Sequence, residues 1–463
     1  METALALGAE AWAEQNLGGA PLGDERRGER LVRMGAQLAQ VSHGVLPQTF
    51  RAWPDLKGAY RFLGNAAVTA AAIQRPHLDW TRQACLEQGT VLLISDTTDL
   101  NFTRAKAVKG LGWTGNTEER GLLVHTTLAV RVERWARDGT PQLNLLGLFD
   151  QEVWTRTHPP RQQQEGQWQR LQRTRESQRW GRAIFASGGP PAWAEWVHVA
   201  DRESDIYEVL LGCRETGTSQ VIRACWPRKV DGARGGLLQA ARHAAIKGQT
   251  ELALRARPGQ PARTAVLTIR AATLTLRAPA RPEGRGTPFT VNVVAVVEEN
   301  PPAGVKGLDW VLVTNLPVHD LEACLRVVRI YEARWLIEEY HKALKTGLGV
   351  EQSQLETAHA LRNLLALLAI VGVRLVRLKL LGRSDPRREL GADDFPADGI
   401  ALLEKVYGRP PEGWTARQVL RHLARQGGFL ARRGDGEPGW LTLWRGWQRF
   451  SAMLYGARLL KGA

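Results

Sequence analysis

The stretch Val91-Leu-Leu-Ile-Ser-Asp96 reads as a buried strand that delivers a carboxylate. A short apolar run of branched side chains suits a strand covered on both faces. A second run, Trp196-Val-His-Val-Ala200, ends the same way at Asp201. Further strands are expected at 122–132, 143–153, 219–224 and 310–313, with helices near 174–186 and 204–212. Three strands in succession, then helix alternating with strand, predict an α/β fold: a mixed sheet covered by helices.

The third acidic residue, Glu338, falls on a predicted helix. With Tyr331 as zero and about 100° per residue, Tyr331, Arg334, Glu338, Lys342 and Lys345 fall within an arc of roughly 80°. Ile330, Ala333, Leu336, Ile337, Tyr340 and Leu344 occupy the opposite side. Taken alone, Lys342 reads as a surface residue, or as the partner of Glu338 in an i,i+4 ion pair worth ~0.3–0.5 kcal/mol. One carboxylate among three cations and a phenol contributes little to stability; it suits a site that holds metal and phosphate together. Two carboxylates from strand ends and one from a helix form an oxygen cage for magnesium ions acting on a phosphodiester.

Composition points to the same substrate class. Lys and Arg number 62 against 47 acidic residues, a formal charge of +15. Such a surplus attracts polyanions, nucleic acid first and acidic membrane second, or simply keeps a surface soluble. The apolar fraction, 43%, is ordinary for a globular protein. Cys85, Cys213, Cys225 and Cys324 are too scattered for a zinc site or a disulfide framework, which fits a reducing cytoplasm. No signal-peptide pattern opens the chain. The longest apolar helix candidate, Asn363 to Val373, falls short of the ~20 residues that span a bilayer and reads as a core helix.

Three regions are expected. Residues 1–75 form a helical head, in which Asp24 caps a helix bearing Leu31, Met34, Leu38 and Val41 on one face. Arg26, Arg27, Arg30 and Arg33 lie in its first turns, and Lys57 and Arg61 sit on a second helix. They read either as solvated faces or as a DNA-binding surface. Residues 76–382 form the mixed-sheet unit, with a β-rich insertion at about 230–305 between Pro- and Gly-rich turns. Residues 383–463 are helical. There Trp440, Trp444, Trp447, Ser451 and Leu454 follow helix spacing, as core or as an interface stripe.

The run Tyr331-Glu-Ala-Arg-Trp-Leu-Ile-Glu-Glu-Tyr-His-Lys-Ala-Leu-Lys-Thr-Gly347 closely resembles the YREK signature, Tyr-x2-Arg-x3-Glu-x6-Lys, of the DDE transposases of the bacterial IS-four insertion-sequence group, including the transposon-five enzyme. Asp96-Thr-Thr98 resembles that family's first acidic motif and Asp201-Arg-Glu-Ser-Asp205 its second. Leu22-Gly-Asp-Glu-Arg-Arg27 and Gly58-Ala-Tyr-Arg-Phe62 resemble its DNA-binding head. Gly427-Gly-Phe429 and Leu443-Trp-Arg-Gly-Trp447 resemble its dimer region. Ser204 for Ala and Leu344 for Trp are departures that remove no acidic residue.

The resemblance implies a ribonuclease-H-like core, with helical domains for DNA binding and dimerisation on either side. It implies that Asp96, Asp201 and Glu338 bind two Mg²⁺ or Mn²⁺ ions. It implies that Tyr331, Arg334 and Lys342 hold phosphates around a base flipped from the transposon end, that Trp310 fills the space the base leaves, and that Lys345 contacts DNA near the cut. On local sequence alone Trp310 is equally a core residue at a strand end. Arg223 and Arg228 match basic residues near the DNA, and Arg26 and Arg61 are the candidates in the head. The implied reaction is cut-and-paste transposition of double-stranded DNA: nicking at terminal inverted repeats, hairpin formation and opening, then strand transfer into a target, by a homodimer whose subunits act in trans. A nuclease that never joins strands and a non-catalytic DNA-binding relative are the competing readings.

Overall fold

The computed structural model describes residues 9–41, 44–105, 108–115, 118–157, 176–232, 235–254, 261–281, 284–384, 386–390, 395, 397–432 and 435–461. Its centre is a ten-stranded mixed sheet. Strand β1 (Gly89–Asn101) pairs antiparallel with β3 (Arg120–Trp135) and parallel with β5 (Ala194–Ala200). Beyond β3 lies β4 (Pro141–Trp154); β2 (Gly112–Trp113) pairs with the start of β3. Beyond β5 lies β6 (Ser219–Arg223), again parallel. The order β4-β3-β1-β5-β6, an antiparallel meander followed by parallel strands, is consistent with a ribonuclease-H-like core.

The strands expected in the insertion join this same sheet. They are β7 (Ile246–Leu254), β8 (Arg263–Leu276) and β11 (Phe289–Val297), with the short pair β9 (Ala280–Arg281) and β10 (Gly284–Arg285) forming a separate ribbon. Strand β12 (Asp309–Thr314) couples β11 to β6, antiparallel to both. Consecutive Val293, Val294, Ala295 and Val296 of β11 are buried, on both faces of the sheet, so the insertion shares the main core.

Sequence and structure differ at two places that matter to the site. Strand β1 does not stop near Asp96 but pairs with β3 as far as Asn101. Its pairing with β5 ends earlier, at Ile94 and Val199. Asp96 therefore lies not at a strand end but where the sheet opens on one side. The helix expected through Tyr331 to Lys345 is broken as well. One helix spans Leu321–Glu332 and a second Trp335–Lys342, followed by a π-helical turn at Ala343–Gly347. At the joint, Arg334 N bonds to Tyr331 O and Leu336 N to Ala333 O, the tighter i→i+3 pattern.

Helix Ala358–Ser384 is the axis of the molecule. Leu361, Leu364, Leu365, Leu367, Leu368, Ile370 and Val371 are buried around its circumference. Asn363 donates to Leu63 O and Val68 O at 2.9 Å each, anchoring the N-terminal helices. Those helices include Glu25–Val41, where Asp24 accepts from Arg26 N, and Trp53–Leu63. At the other end the axis meets Ala416–Gln426 and Trp440–Lys461 through Leu378, Leu420 and Leu443. Trp444 is buried, and Trp447 packs edge-on against Phe395, so this stripe faces the protein's own core. No helix among the described residues is long and apolar enough to cross a membrane.

His77 shows how tightly the layers close. It bonds to Asn16 through Nδ1 at 2.7 Å, and its Nε2 accepts from Leu148 N at 3.0 Å, an arrangement that requires a neutral ring. Gly147 makes room for it, since a Cβ there would lie 2.2 Å from Thr81 Oγ1 and 2.9 Å from His77 Nε2. Burial, with Arg377 nearby, pushes His77 down to about 3. Burial likewise pushes His198 and His125 down to about 4 and His341 to about 3. Each folded-state value lies below that of the unfolded chain, so the unfolded state takes up protons first as pH falls. Stability is expected to drop from about pH 6.5 downward, each histidine costing about 2 kcal/mol at pH 5. Asp96, raised to about 7, works in the opposite sense and offsets part of the loss. Urea unfolding at pH 7 and pH 5 measures the difference, and His77→Gln should reduce it.

Candidate active site

The site begins with strand register. In β1 and β5 Ile94 faces Val199, so two residues further on the chain brings Asp96 alongside Asp201. Asp201 caps the short turn Arg202–Ser204: its Oδ1 accepts from Glu203 N at 2.9 Å, and its carbonyl accepts from Ser204 Oγ at 2.8 Å. Asp96 Oδ1 accepts from Thr97 N at 2.8 Å, and Thr97 Oγ1 lies 2.9 Å from His125 Nδ1 on β3.

Glu338 enters from helix Trp335–Lys342. Arg334, just before that helix, joins the two elements. Its Nη2 donates to Glu338 Oε1 at 2.5 Å and its Nη1 to Asp96 Oδ2 at 3.4 Å. Arg334 is 15% exposed, Asp96 18% and Glu338 29%, so the contacts are shielded but open on one side. Burial raises the Asp96 carboxyl, opposed by the Thr97 N–H and Arg334; the charges of Asp201 and Glu203 add to the rise, and the group sits at about 7. Burial and Asp201 also raise Glu203.

Among the described residues no three His, Cys, Asp or Glu side chains lie close enough to enclose a metal ion as they stand. The guanidinium of Arg334 bonds to Asp96 and Glu338, taking oxygens that would otherwise face an ion. The donor set nonetheless fits a hard divalent cation. All its donors are carboxylate oxygens, and Asp96 is held near its neutral form by desolvation and like charge.

The other expected residues divide. Tyr331 is buried and packs edge-on to Trp310, with ring centroids 5.9 Å apart; the Arg334 guanidinium lies 6.0 Å from the Tyr331 ring. Lys345, on the π turn, reaches Asp99 Oδ1 at 3.3 Å. Lys342 is exposed and lies 4.8 Å from the ring of Trp335, not on Glu338. Arg223 ends β6 and donates to Asp309 O at 3.4 Å, beside Trp310. Arg228 is committed elsewhere. It pairs with the buried Asp205, whose Oδ2 also accepts from Cys225 N and Trp226 N. This network braces the turn that carries Asp201. Arg26 and Arg61 are exposed on the N-terminal helices, far along the chain from the carboxylates.

The sequence reading passed over three partners. Thr97–His125 supports Asp96 from β3. Trp335, half exposed, lies under the Lys342 ammonium, and its place inside the Tyr331–Lys345 run was the available signal. Glu339, which the helix angle places off the polar stripe, pairs with Lys379 of the axial helix.

A family model described as Transposase DNA-binding matches residues 9–68. A second, described as Transposase Tn5 dimerisation domain, matches residues 370–462. Asp96, Asp201 and Glu338 lie between the two matches. Together the matches support a Tn5-type transposase: a protein that binds DNA, dimerises, and cuts and joins DNA.

Burial of the Asp96 carboxylate, together with the like charges of Asp201 and Glu203, costs stability. Asp96→Asn removes one of the charges but keeps an acceptor for Thr97 N. Above pH 7 in the presence of chelator, its thermal midpoint is expected to rise by several degrees, as a relieved upward pKa shift of this size is worth on the order of a few kcal/mol. Differential scanning calorimetry checks the direction; a lower midpoint would contradict the account.

Proposed function

We propose that this protein is a cut-and-paste DNA transposase of the DDE type, carrying the YREK signature of the IS-four group. The supporting observation is that Arg334 bonds to both Asp96 on β1 and Glu338 on a helix far along the chain, while the register of β1 and β5 brings Asp201 alongside Asp96. The terminal matches to transposase DNA-binding and dimerisation families supply the context in which such a cluster acts on DNA.

In this reading Asp96, Asp201 and Glu338 would hold two Mg²⁺ or Mn²⁺ ions, and the chemistry such ions would supply is activation of an oxygen nucleophile and charge stabilisation at the leaving oxygen. The remaining chemistry falls to the chain's own groups. Asp96 releases its proton to become a full ligand. Arg334 exchanges a carboxylate for a phosphate oxygen, to which its planar fork donates equally well. Lys342 and Lys345 neutralise the backbone near the cut. Tyr331, with Arg334 and Lys342, holds phosphates around a flipped base and Trp310 fills the space that base leaves; extrusion costs a few kcal/mol, which stacking and phosphate contacts offset. Arg228 acts indirectly, through Asp205. Cleavage by way of a hairpin, strand transfer and action in trans within a synaptic dimer complete the proposal.

Glu338→Gln is expected to abolish cleavage of end-containing DNA in Mg²⁺ and to leave end binding intact. Gel assays of both on the same preparation decide it, and undiminished cleavage would remove Glu338 from the site. Cleavage by the unmodified protein without joined products would instead favour a nuclease.

Binding to DNA is expected to weaken steeply with salt. Each neutralised phosphate contributes about −0.9 to the slope of log K against log salt. A flat response in a fluorescence titration would rule out a multi-phosphate contact.

A further inference from the structure

Helix Trp335–Lys342, which carries Glu338, is only eight residues long. It is bounded by the tight turn at Ala333–Arg334 and by the π-helical turn Ala343–Gly347. So short a helix has little rigidity of its own. Its side chains lie roughly 5–6 Å from its axis, so a rotation of about 20° would carry a carboxylate some 2 Å. A catalytic constellation tolerates only about 0.5 Å. Something outside the helix must set its rotation.

Two contacts meet that need, and both come from the region that matches the dimerisation family. Lys379, on the axial helix and 5% exposed, forms an ion pair with Glu339. Trp440, the first residue of the terminal helix, lies under the same ammonium, its ring centroid 5.1 Å away. The indoles of Trp440 and Trp444 also close on the π turn: a Cβ built on Gly347 would meet Trp440 Nε1 at 3.3 Å and Trp444 Cδ2 at 3.5 Å. Glu339 follows Glu338 directly, about 100° around the helix. Holding Glu339 therefore fixes where Glu338 points, and holding the π turn fixes Lys345.

We infer that Lys379 and Glu339 are positioning residues for DNA cleavage: their buried ion pair, seated on Trp440, sets the rotation of the Glu338 helix and ties it to the dimerisation region. The inference rests on the functional reading given above. Neither residue touches the reacting phosphate. The pair acts as the outer hydrogen bonds that orient a ligating side chain do, and loss of such support typically costs about 10–100-fold in activity or metal affinity.

K379M alone would leave Glu339 buried without a partner, which destabilises folding. The deciding variant is the double substitution E339Q/K379M, which removes both charges together; K379R serves as the conservative control. With the full-length protein, hydrogen–deuterium exchange is followed over residues 335–347 without DNA or metal. Single-turnover cleavage of end DNA is measured against Mg²⁺ concentration. The double variant is expected to keep the thermal midpoint and end-DNA affinity of the unmodified protein. Its exchange over 335–347 should be roughly tenfold faster. Its cleavage rate should fall by about 10–100-fold, with half-saturation moved to higher Mg²⁺. K379R should retain most of the rate. Unchanged exchange and cleavage in the double variant would overturn the inference, as would a loss of activity that only follows a lowered thermal midpoint. Should the unmodified protein fail to cleave end DNA, the functional reading is at fault, and the exchange comparison still decides whether the pair sets the helix.

Discussion

Parallel pairing of β1 with β5 is the constraint on which the site depends. Parallel strands bring residues distant in sequence to the same level of a sheet, and both faces must be covered for them to form. Here the register aligns Ile94 with Val199 and ends just before the two aspartates. Because β1 continues to Asn101 on the side of β3, Asp96 keeps a rigid backbone while losing its neighbour on the side of Asp201. The carboxylates thus face each other across a gap in the ladder. Chain ends would be mobile; strands held on one side are not.

That arrangement is electrostatically unfavourable, and the surrounding residues show how the chain tolerates it. Burial and like charge hold Asp96 near neutral, and Arg334 supplies one positive charge to Asp96 and Glu338. A guanidinium is a suitable occupant because it bonds to carboxylate and phosphate with similar geometry. The cost falls on local stability, the usual trade at a functional site.

The molecule is also more continuous than its sequence suggests. The insertion extends the main sheet through β12 and β6, sharing its core. The axial helix runs unbroken from Ala358 to Ser384, from the N-terminal helices to the C-terminal ones, and the dimerisation match begins at residue 370, within it. Arg377, pushed down to about 9 by burial, donates to Leu145 O from this helix, and Arg374 lies over Trp12. With Lys379 bound to Glu339, one helix touches the head, the sheet and the acidic helix.

Local patterns determined a good deal by themselves. The apolar runs before Asp96 and Asp201 announced buried strands, because a strand covered on both faces must be apolar throughout. The 3.6-residue period marked the polar stripe of Arg334, Glu338 and Lys345, and Asp24 marked the start of its helix. These features depend on neighbours within a turn or a strand, so the sequence displays them directly. Only the tertiary structure decided the rest. It decided that β1 passes beyond Asp96, because the partner that extends it, β3, is chosen by sheet pairing. It broke the helix at Ala333–Arg334, where i→i+3 bonds replace the helical ladder. It committed Arg228 to Asp205 and Glu339 to Lys379, because an ion pair between residues 23 or 40 positions apart exists only once the chain has brought them together. Charge and periodicity show which residues face outward or inward; which partner each one meets is a property of the folded chain.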